Sequence, residues 1–349
     1  INKKDHIIMS RLQKSICVLI FLLITFSILS FEPANSYELS IYNDTTSLRI
    51  TILLLFFIST ITIVWNDEFG ASSTGALAGV VSLTLIATLP LLKRYYFYGY
   101  NDSLSHLGIS RDILLNQFDP TSILYPLNHL LSVVLAAVFG IPLRIALLLL
   151  VPIFVILFAL GVTVATREVG AEHYYTGIVA SMFLLPIIST NLPTLQPIPT
   201  TTAVLFSPFS FWALIRMSKI YSMRSFILFI VFFIAIMLYH PQHSVSILIV
   251  LASITIVTST TSYFKRIPIR LVAVPSVLLV IWILWKGAFA FEFNRVMLAL
   301  IRGGNAVIQS SDQQTSAVGF SIYNLFVKVF LLKAILSGVA RYLRLCNIL

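Results

Sequence analysis

Apolar runs of about 16 to 24 residues, separated by short polar breaks, recur along the chain. A run of that length matches the roughly 20 residues that a helix needs to cross a bilayer core. The pattern predicts membrane-spanning helices at about 15–31, 49–65, 73–92, 143–166, 174–189, 201–217, 225–239, 244–262, 271–287 and 320–340. Lipid tolerates no unpaired backbone groups, and the runs are too long and uniform for barrel strands. The predicted fold class is therefore all-α, a polytopic integral membrane protein with about ten transmembrane helices. One stretch is left over, "YPLNHLLSVVLAAVFGIP" at 125–142, which opens on Pro126, carries Asn128 and His129 in its first turn and ends in Gly-Ile-Pro. Its run of about 14 apolar residues is short for a span and suits a helix lying at the membrane interface.

Charge decides whether 125–142 crosses. If it does not, Arg167, the group Arg216, Lys219 and Arg224, the group Lys265, Arg266 and Arg270, and Arg341 and Arg344 share one side with Lys3, Lys4, Arg11 and Lys14. The positive-inside rule makes that side cytoplasmic. The facing loops "NLPTLQPIPT" and "HPQH" contain no Lys or Arg. A crossing would set the basic loops opposite the basic N-terminus. The chain then divides into a three-helix membrane segment at 1–92, an outer loop with juxtamembrane helices at 93–142, and a seven-helix membrane region at 143–349 with an outer loop at 288–319. The stretch from Met9, "MSRLQKSICVLIFLLITFSILS", has the basic head and apolar body of an uncleaved signal anchor. The abrupt end at "RYLRLCNIL" reads as a truncation.

Composition agrees with this picture. Of 349 residues 58% are hydrophobic and 10% charged, against about 25% charged in a soluble domain. The net charge of +10 forms no basic stripe with interleaved aromatics, so nucleic acid is excluded as a partner. Cys17 lies in an apolar run and Cys346 near the end, and neither a disulfide nor a metal pair is expected.

The topology gathers the reactive residues on the outer face, in the plasma membrane with the N-terminus cytoplasmic. "NDSLSHLGISRD" at 101–112 is the most polar stretch within the greasy part of the chain. Leu104, Leu107, Ile109, Ile113 and Leu114 predict a short helix with one greasy side. Asp102 and His106, four apart, share a face of it. In the plain structural reading Asn101 or Asp102 caps the helix, with Arg111 and Asp112 solvated. His106, His240 and His243, with His129 in reserve, invite a zinc reading, but His240 and His243 flank a Pro-Gln turn rather than sitting four apart on one helix. His240 is better suited to capping a broken helix pair or to bonding a phosphate or sugar, and His129 reads as an interfacial side chain. Lys93 and Arg94 lie outside, against the charge trend, with Arg111, Arg144, Arg295 and Arg302. Cations at headgroup depth suit a lipid phosphate, or plain contact with anionic membrane lipids. "FEFNRVMLALIRGGNAVIQSSDQQTSAVG" at 291–319 reads as a linker or as a lid over a site, and "NDT" at 43–45 as an outward sequon.

The order of these features, an acidic residue after an outward span, a His four on, an Arg-Asp helix, an aromatic-Pro start to a second short helix and an Arg opening the next span, resembles the first outer loop of the GT-C glycosyltransferases. These membrane enzymes take sugars from polyprenyl-phosphate carriers and include oligosaccharyltransferases and protein mannosyltransferases. The resemblance covers roughly 75–290. It implies transfer of a sugar from a polyprenyl-phosphate-linked donor to a protein, lipid or glycan acceptor. Asp102 would be the general base, or a ligand for Mg²⁺ or Mn²⁺. His106 would join it at the catalytic centre, and Lys93, Arg94, Arg111, Asp112, His240, His243 and Arg302 would bind substrate. The D-x-D pair that some members carry in a later outer loop is missing from 190–200, against the metal-dependent version. "YHPQHS" is similar to a recurring feature of archaeal membrane proteins, which implies an archaeal source. The rival readings are a flippase or transporter of lipid-linked saccharides, which calls for polar residues at mid-membrane, and a non-catalytic scaffold of the same fold.

Overall fold

The structure is a computed structural model that describes residues 54–59, 71–98, 101–170, 175–191, 195–219, 222–260 and 270–286, with isolated positions between 15 and 25. The spans expected at 320–340 and over most of 15–31 lie outside the described residues, as do the 288–319 loop, Arg295, Arg302, both cysteines and the sequon. The described residues are helical, without strands. The helices are α1 (Ala71–Leu92), α2 (Asn101–Leu114), α3 (Leu127–Phe139), α4 (Leu143–Val169), α5 (Tyr175–Asn191), α6 (Pro199–Lys219), α7 (Met223–Tyr239), α8 (Pro241–Thr260) and α9 (Arg270–Trp285), with a 3₁₀ turn at Pro120–Ser122.

Among these, Gly75–Leu92 and Leu143–Val169 are long and apolar enough to cross a membrane. Met223–Tyr239, Pro241–Ile256 and Arg270–Trp285 are apolar but shorter. Helix α6 is diluted by Thr200, Thr201, Thr202, Ser207 and Ser210, of which Thr201, Thr202 and Ser210 are buried.

The chain forms two compact units, 1–240 and 241–349. In the second, α8 and α9 pack on each other. In the first, α4 is the hub and packs against α1, α2, α3, α5 and α6. Its sequence is apolar on every side between Arg144 and Arg167, as suits a helix surrounded by others or by lipid. Leu147, Leu150, Val151, Phe154, Val155 and Phe158 are almost wholly buried.

Small residues let the helices approach closely, the way membrane helices pack when hydrophobicity no longer discriminates between neighbour and lipid. A methyl group on Gly177 of α5 would stand 2.3 Å from the Cα of Thr163 in α4, and one on Gly161 of α4 would stand 2.9 Å from the Cβ of Pro208 in α6. Helices α4 and α5 therefore cross almost backbone to backbone.

Contacts between helix ends sort the side chains of the first unit. Arg144, at the start of α4, lies with its guanidinium 4.2 Å from the centre of the Tyr96 ring, just after α1. The end of α1 and the start of α4 therefore meet, and the 93–142 segment leaves and returns on one end of the bundle. At the other end Arg216 of α6 approaches Glu168 of α4 at 3.7 Å, close to Arg167.

A Gly177→Leu substitution is expected to cost about 3 kcal/mol, because the obstruction is backbone and cannot swing away. Gly108 has open space around it, so Gly108→Ala should leave stability within about 0.5 kcal/mol. Thermal unfolding of the purified variants in detergent checks both.

Candidate functional site

Helices α2 and α3 each bury a polar stripe. The buried stripe of α2 is Ser103, His106, Ser110 and Ile113, and that of α3 is Asn128, His129, Ser132 and Ala136. These are spacings of three, four and seven, one face of a helix in each case. Several large apolar side chains are exposed, Leu104 and Leu114 on α2, then Leu115 and Phe118, and Val134, Val138 and Phe139 on α3, with Val138 70% exposed, while Leu107, Leu127, Leu131 and Leu135 are partly buried against the core. The helix stops at Leu114, and Asn116 follows with φ 56°, a left-handed turn that asparagine tolerates.

Asp102 lies in the first turn of α2, where the helix dipole favours a negative charge. Its carboxylate is 70% exposed and sits 3.4 Å from Nε2 of His106, which is buried. The hydrogen bond from His106 holds the Asp102 carboxyl below its usual range against the opposing cost of partial burial, and His240 and His129 add to the lowering. The carboxylate thus stays ionised.

Behind this pair the polar contacts run inward. The His106 and His129 rings lie 5.0 Å apart. His129, fully buried, places Nδ1 3.0 Å from the Ser110 hydroxyl, and Ser132 donates to Ser110 at 3.1 Å. The Tyr125 ring lies 5.9 Å from His106 and stacks on His240 at 5.5 Å. Two contacts tie the group to the start of α6: Ser103 donates to Gln196 Oε1 at 3.1 Å, and Thr202 donates to Asn128 Oδ1 at 3.3 Å.

Five side-chain atoms at this seam are buried with no hydrogen-bond partner: Nδ1 of His106, Nδ2 of Asn128, Nε2 of His129, Nε2 of Gln196 and Oγ1 of Thr201. A buried polar atom left so costs about 1 to 3 kcal/mol, so the seam is an unstable way to close a helix pair. Neither α3 nor His240, between α7 and α8, lies in the two described helices long and apolar enough to cross a membrane. Burial there, with the nearby His106, presses His129 and His240 down to about 4 from 6.5, and both are neutral at neutral pH.

His240 is the C-cap of α7, with extended backbone (φ −164°, ψ 106°) and its N–H bonded to the Ile236 carbonyl. The expected Pro-Gln turn is instead a direct junction, since α8 begins at Pro241 and His243 falls in its first turn. His243 belongs to the second unit, and Arg302 is outside the described residues. Arg111 is exposed and Asp112 half-buried, both off the buried stripe of α2. Lys93 is only 5% exposed, and Arg94 is exposed with φ 54°.

Pattern reading passed over Ser103, Ser110, Tyr125, Ser132, Gln196, Thr201 and Thr202 and noted Asn128 only as a polar first-turn residue, and His129 is central rather than interfacial. The signal was present in two stripes of small polar residues at helical spacing, which a search for apolar faces skips. Among the described residues no group of three or more His, Cys, Asp or Glu is arranged to hold a metal ion. Mg²⁺ and Mn²⁺ call for several oxygen ligands, and one carboxylate backed by imidazoles does not fit them. Comparison with family models, curated proteins and solved structures found no match.

The buried histidines set a pH dependence. Unfolding frees their protonation, so between pH 6.5 and about 4 the unfolded chain binds more protons and stability falls as the pH falls. Asp102, with its lowered value, adds a loss only below the usual carboxylate range. Thermal unfolding from pH 7.5 to 4.5 should show a falling midpoint, and His129→Gln should flatten part of that fall.

Proposed function

We propose that the protein is a polytopic membrane glycosyltransferase of the GT-C kind, moving a sugar from a polyprenyl-phosphate donor to an acceptor at the outer membrane face. The observation that carries this reading is the convergence of Asp102, His106, Tyr125, His129 and His240 from three separate elements at one end of the bundle. The basic residues Arg167 and Arg216 belong to the other end, in keeping with a cytoplasmic side there. Apolar side chains on the outside of α2 and α3 suit helices that rest in the lipid interface.

In this mechanism an acceptor hydroxyl or amide attacks the anomeric carbon of the donor as the bond to the phosphate oxygen breaks. The acceptor proton passes to Asp102, whose exposed carboxylate is kept ionised and oriented by His106, and the polyprenyl phosphate leaves with the bonding electrons. An ionised carboxylate of low basicity accepts the proton late, once attack has made the acceptor acidic. The phosphate meets Lys93, Arg94 and Arg144 near the junction of α1 and α4, where cations offset the charge of the leaving group. No step is routed through a metal.

The test is transfer from radiolabelled polyprenyl-phosphate sugars by purified protein in nanodiscs. Asp102→Asn should lower turnover at least about a hundredfold, with donor binding retained and EDTA without effect. Lys93→Gln with Arg94→Gln should raise KM more than it lowers kcat, about tenfold. Wild type that transfers nothing from a broad donor panel, yet moves labelled donor between leaflets of vesicles, would replace this reading with a flippase.

A further inference from the structure

We propose that α2 and α3 form a hinged cover, seated on the adjoining ends of α4, α6 and α7 through a buried polar seam and released when histidines in the seam take up protons. Three observations independent of the sugar-transfer reading support it.

The first is the seam itself. A permanent interface between helices is filled by apolar side chains or by fully bonded polar ones. This one holds five buried polar atoms without partners, set between α2, α3 and the start of α6. Opening the cover gives each of them water, so the closed state is favoured less than the contact area suggests. Only the Ser103–Gln196 and Thr202–Asn128 hydrogen bonds cross to the α6 side among those described.

The second is the connection from α3 to α4, which contains Gly140 at φ 63° with Pro142 two residues on. A few residues at element ends that absorb backbone rotation are what a hinge needs. Before α2, Tyr95, Phe97 and Tyr98 are buried in the core and anchor the chain. Helices α2 and α3 pack on each other, so they travel together.

The third is the charge inventory. Facing His129 and His240 are Asp102 and His106 from α2, Tyr125 from the preceding turn, and Tyr239 from α7. Gln196, Thr201 and Thr202 at the start of α6 do not titrate. Helix α4 has no titratable residue between Arg144 and Arg167. Arg111 and Asp112 of α2 are off the seam. Among the described residues the carboxylate that acts on His129 is that of Asp102, already paired with His106, so a proton arriving on His129 meets the neighbouring imidazole of His106. Hydration on opening relieves it.

The sign follows from linkage: the open cover binds protons more tightly, so acid favours it. Taking 6.5 for an imidazole in water and about 4 when seated, the opening constant rises about thirtyfold for each histidine between pH 7.5 and 5.0.

Hydrogen–deuterium exchange on the full chain in nanodiscs, corrected for the chemical exchange rate, tests this. The 127–139 peptide should lose at least about tenfold in protection between pH 7.5 and 5.0, while the 147–158 part of α4 keeps its protection. The double variant His129→Gln, His240→Gln should show no such pH dependence. Because that variant removes buried rings, a second measurement keeps both histidines: with Cys17 and Cys346 replaced by serine, Ala136→Cys on the buried stripe and Val138→Cys on the exposed face are labelled with a water-soluble thiol reagent. The ratio of their rates, in which the pH dependence of the thiol cancels, should rise towards acid. Unchanged protection with an unchanged labelling ratio overturns the proposal, as does loss of α4 protection in step with 127–139, which marks global unfolding.

Discussion

The burial of polar stripes on α2 and α3 is the constraint on which the rest of this architecture depends. A helix in water turns its apolar face inward, and these two also bury a polar stripe, Ser103, His106 and Ser110 against Asn128, His129 and Ser132, beside the partly buried Leu107, Leu127, Leu131 and Leu135, while Val134, Val138 and Phe139 face out. That orientation lowers the free energy only if the surroundings are apolar, because serine and asparagine gain nothing from burial when water is the alternative. It also fixes where the chemistry lies. The inward stripe brings two imidazoles within 5.0 Å of each other, and Asp102 stands at its rim, one helical turn from His106 and open to the outside.

The hub helix makes the arrangement possible. Helix α4 is apolar all round, and α5 and α6 approach it closely at Gly177 and Gly161, so the ends of α1, α4, α6 and α7 are held near one another. The cover then inherits a platform with a polar start of α6, an α7 that stops at His240, and an α4 that opens on Pro142 without a side-chain cap. The paired Glu168 and Arg216 at the opposite end show how differently the two ends are built. One pairs an acid with an arginine near the chain's basic loops, the other sets the exposed Asp102 carboxylate in front of buried imidazoles. Sugar transfer at a membrane surface needs a proton acceptor at the rim of an apolar region and cations for a phosphate, and this end has side chains of both types.

Much of this was legible in the sequence because length and hydropathy are one-dimensional properties. The apolar runs at 73–92, 143–166, 201–217 and 225–239 fall on α1, α4, α6 and α7, and the Pro-flanked 125–142 stretch contains the short helix α3. The pairing of Asp102 with His106 followed from a spacing of four. The rest depends on which side of a helix faces inward, which the hydrophobic pattern leaves open when the outside is lipid: His129 looked peripheral and is fully buried. The break at His240 was legible, since the sequence suited it to capping a broken helix pair and it is the C-cap of α7, but the start of α8 at Pro241 was not. Proline after histidine reads as a turn, yet proline is also a good first residue for a helix, and only the three-dimensional course separates the two.

The most direct test of the account is the depth of α3 in the membrane. A nitroxide placed at Val138, with the native cysteines replaced and the protein in nanodiscs, reports by power saturation whether it meets oxygen, which concentrates in lipid, or a water-soluble nickel chelate; a label at Arg111 gives the aqueous reference. The account predicts that Val138 relaxes with oxygen and is shielded from nickel, with the reverse at Arg111. Equal exposure of both sites to nickel would mean that the outward apolar face of α3 stands in water, and the burial of the polar stripes would then need another explanation.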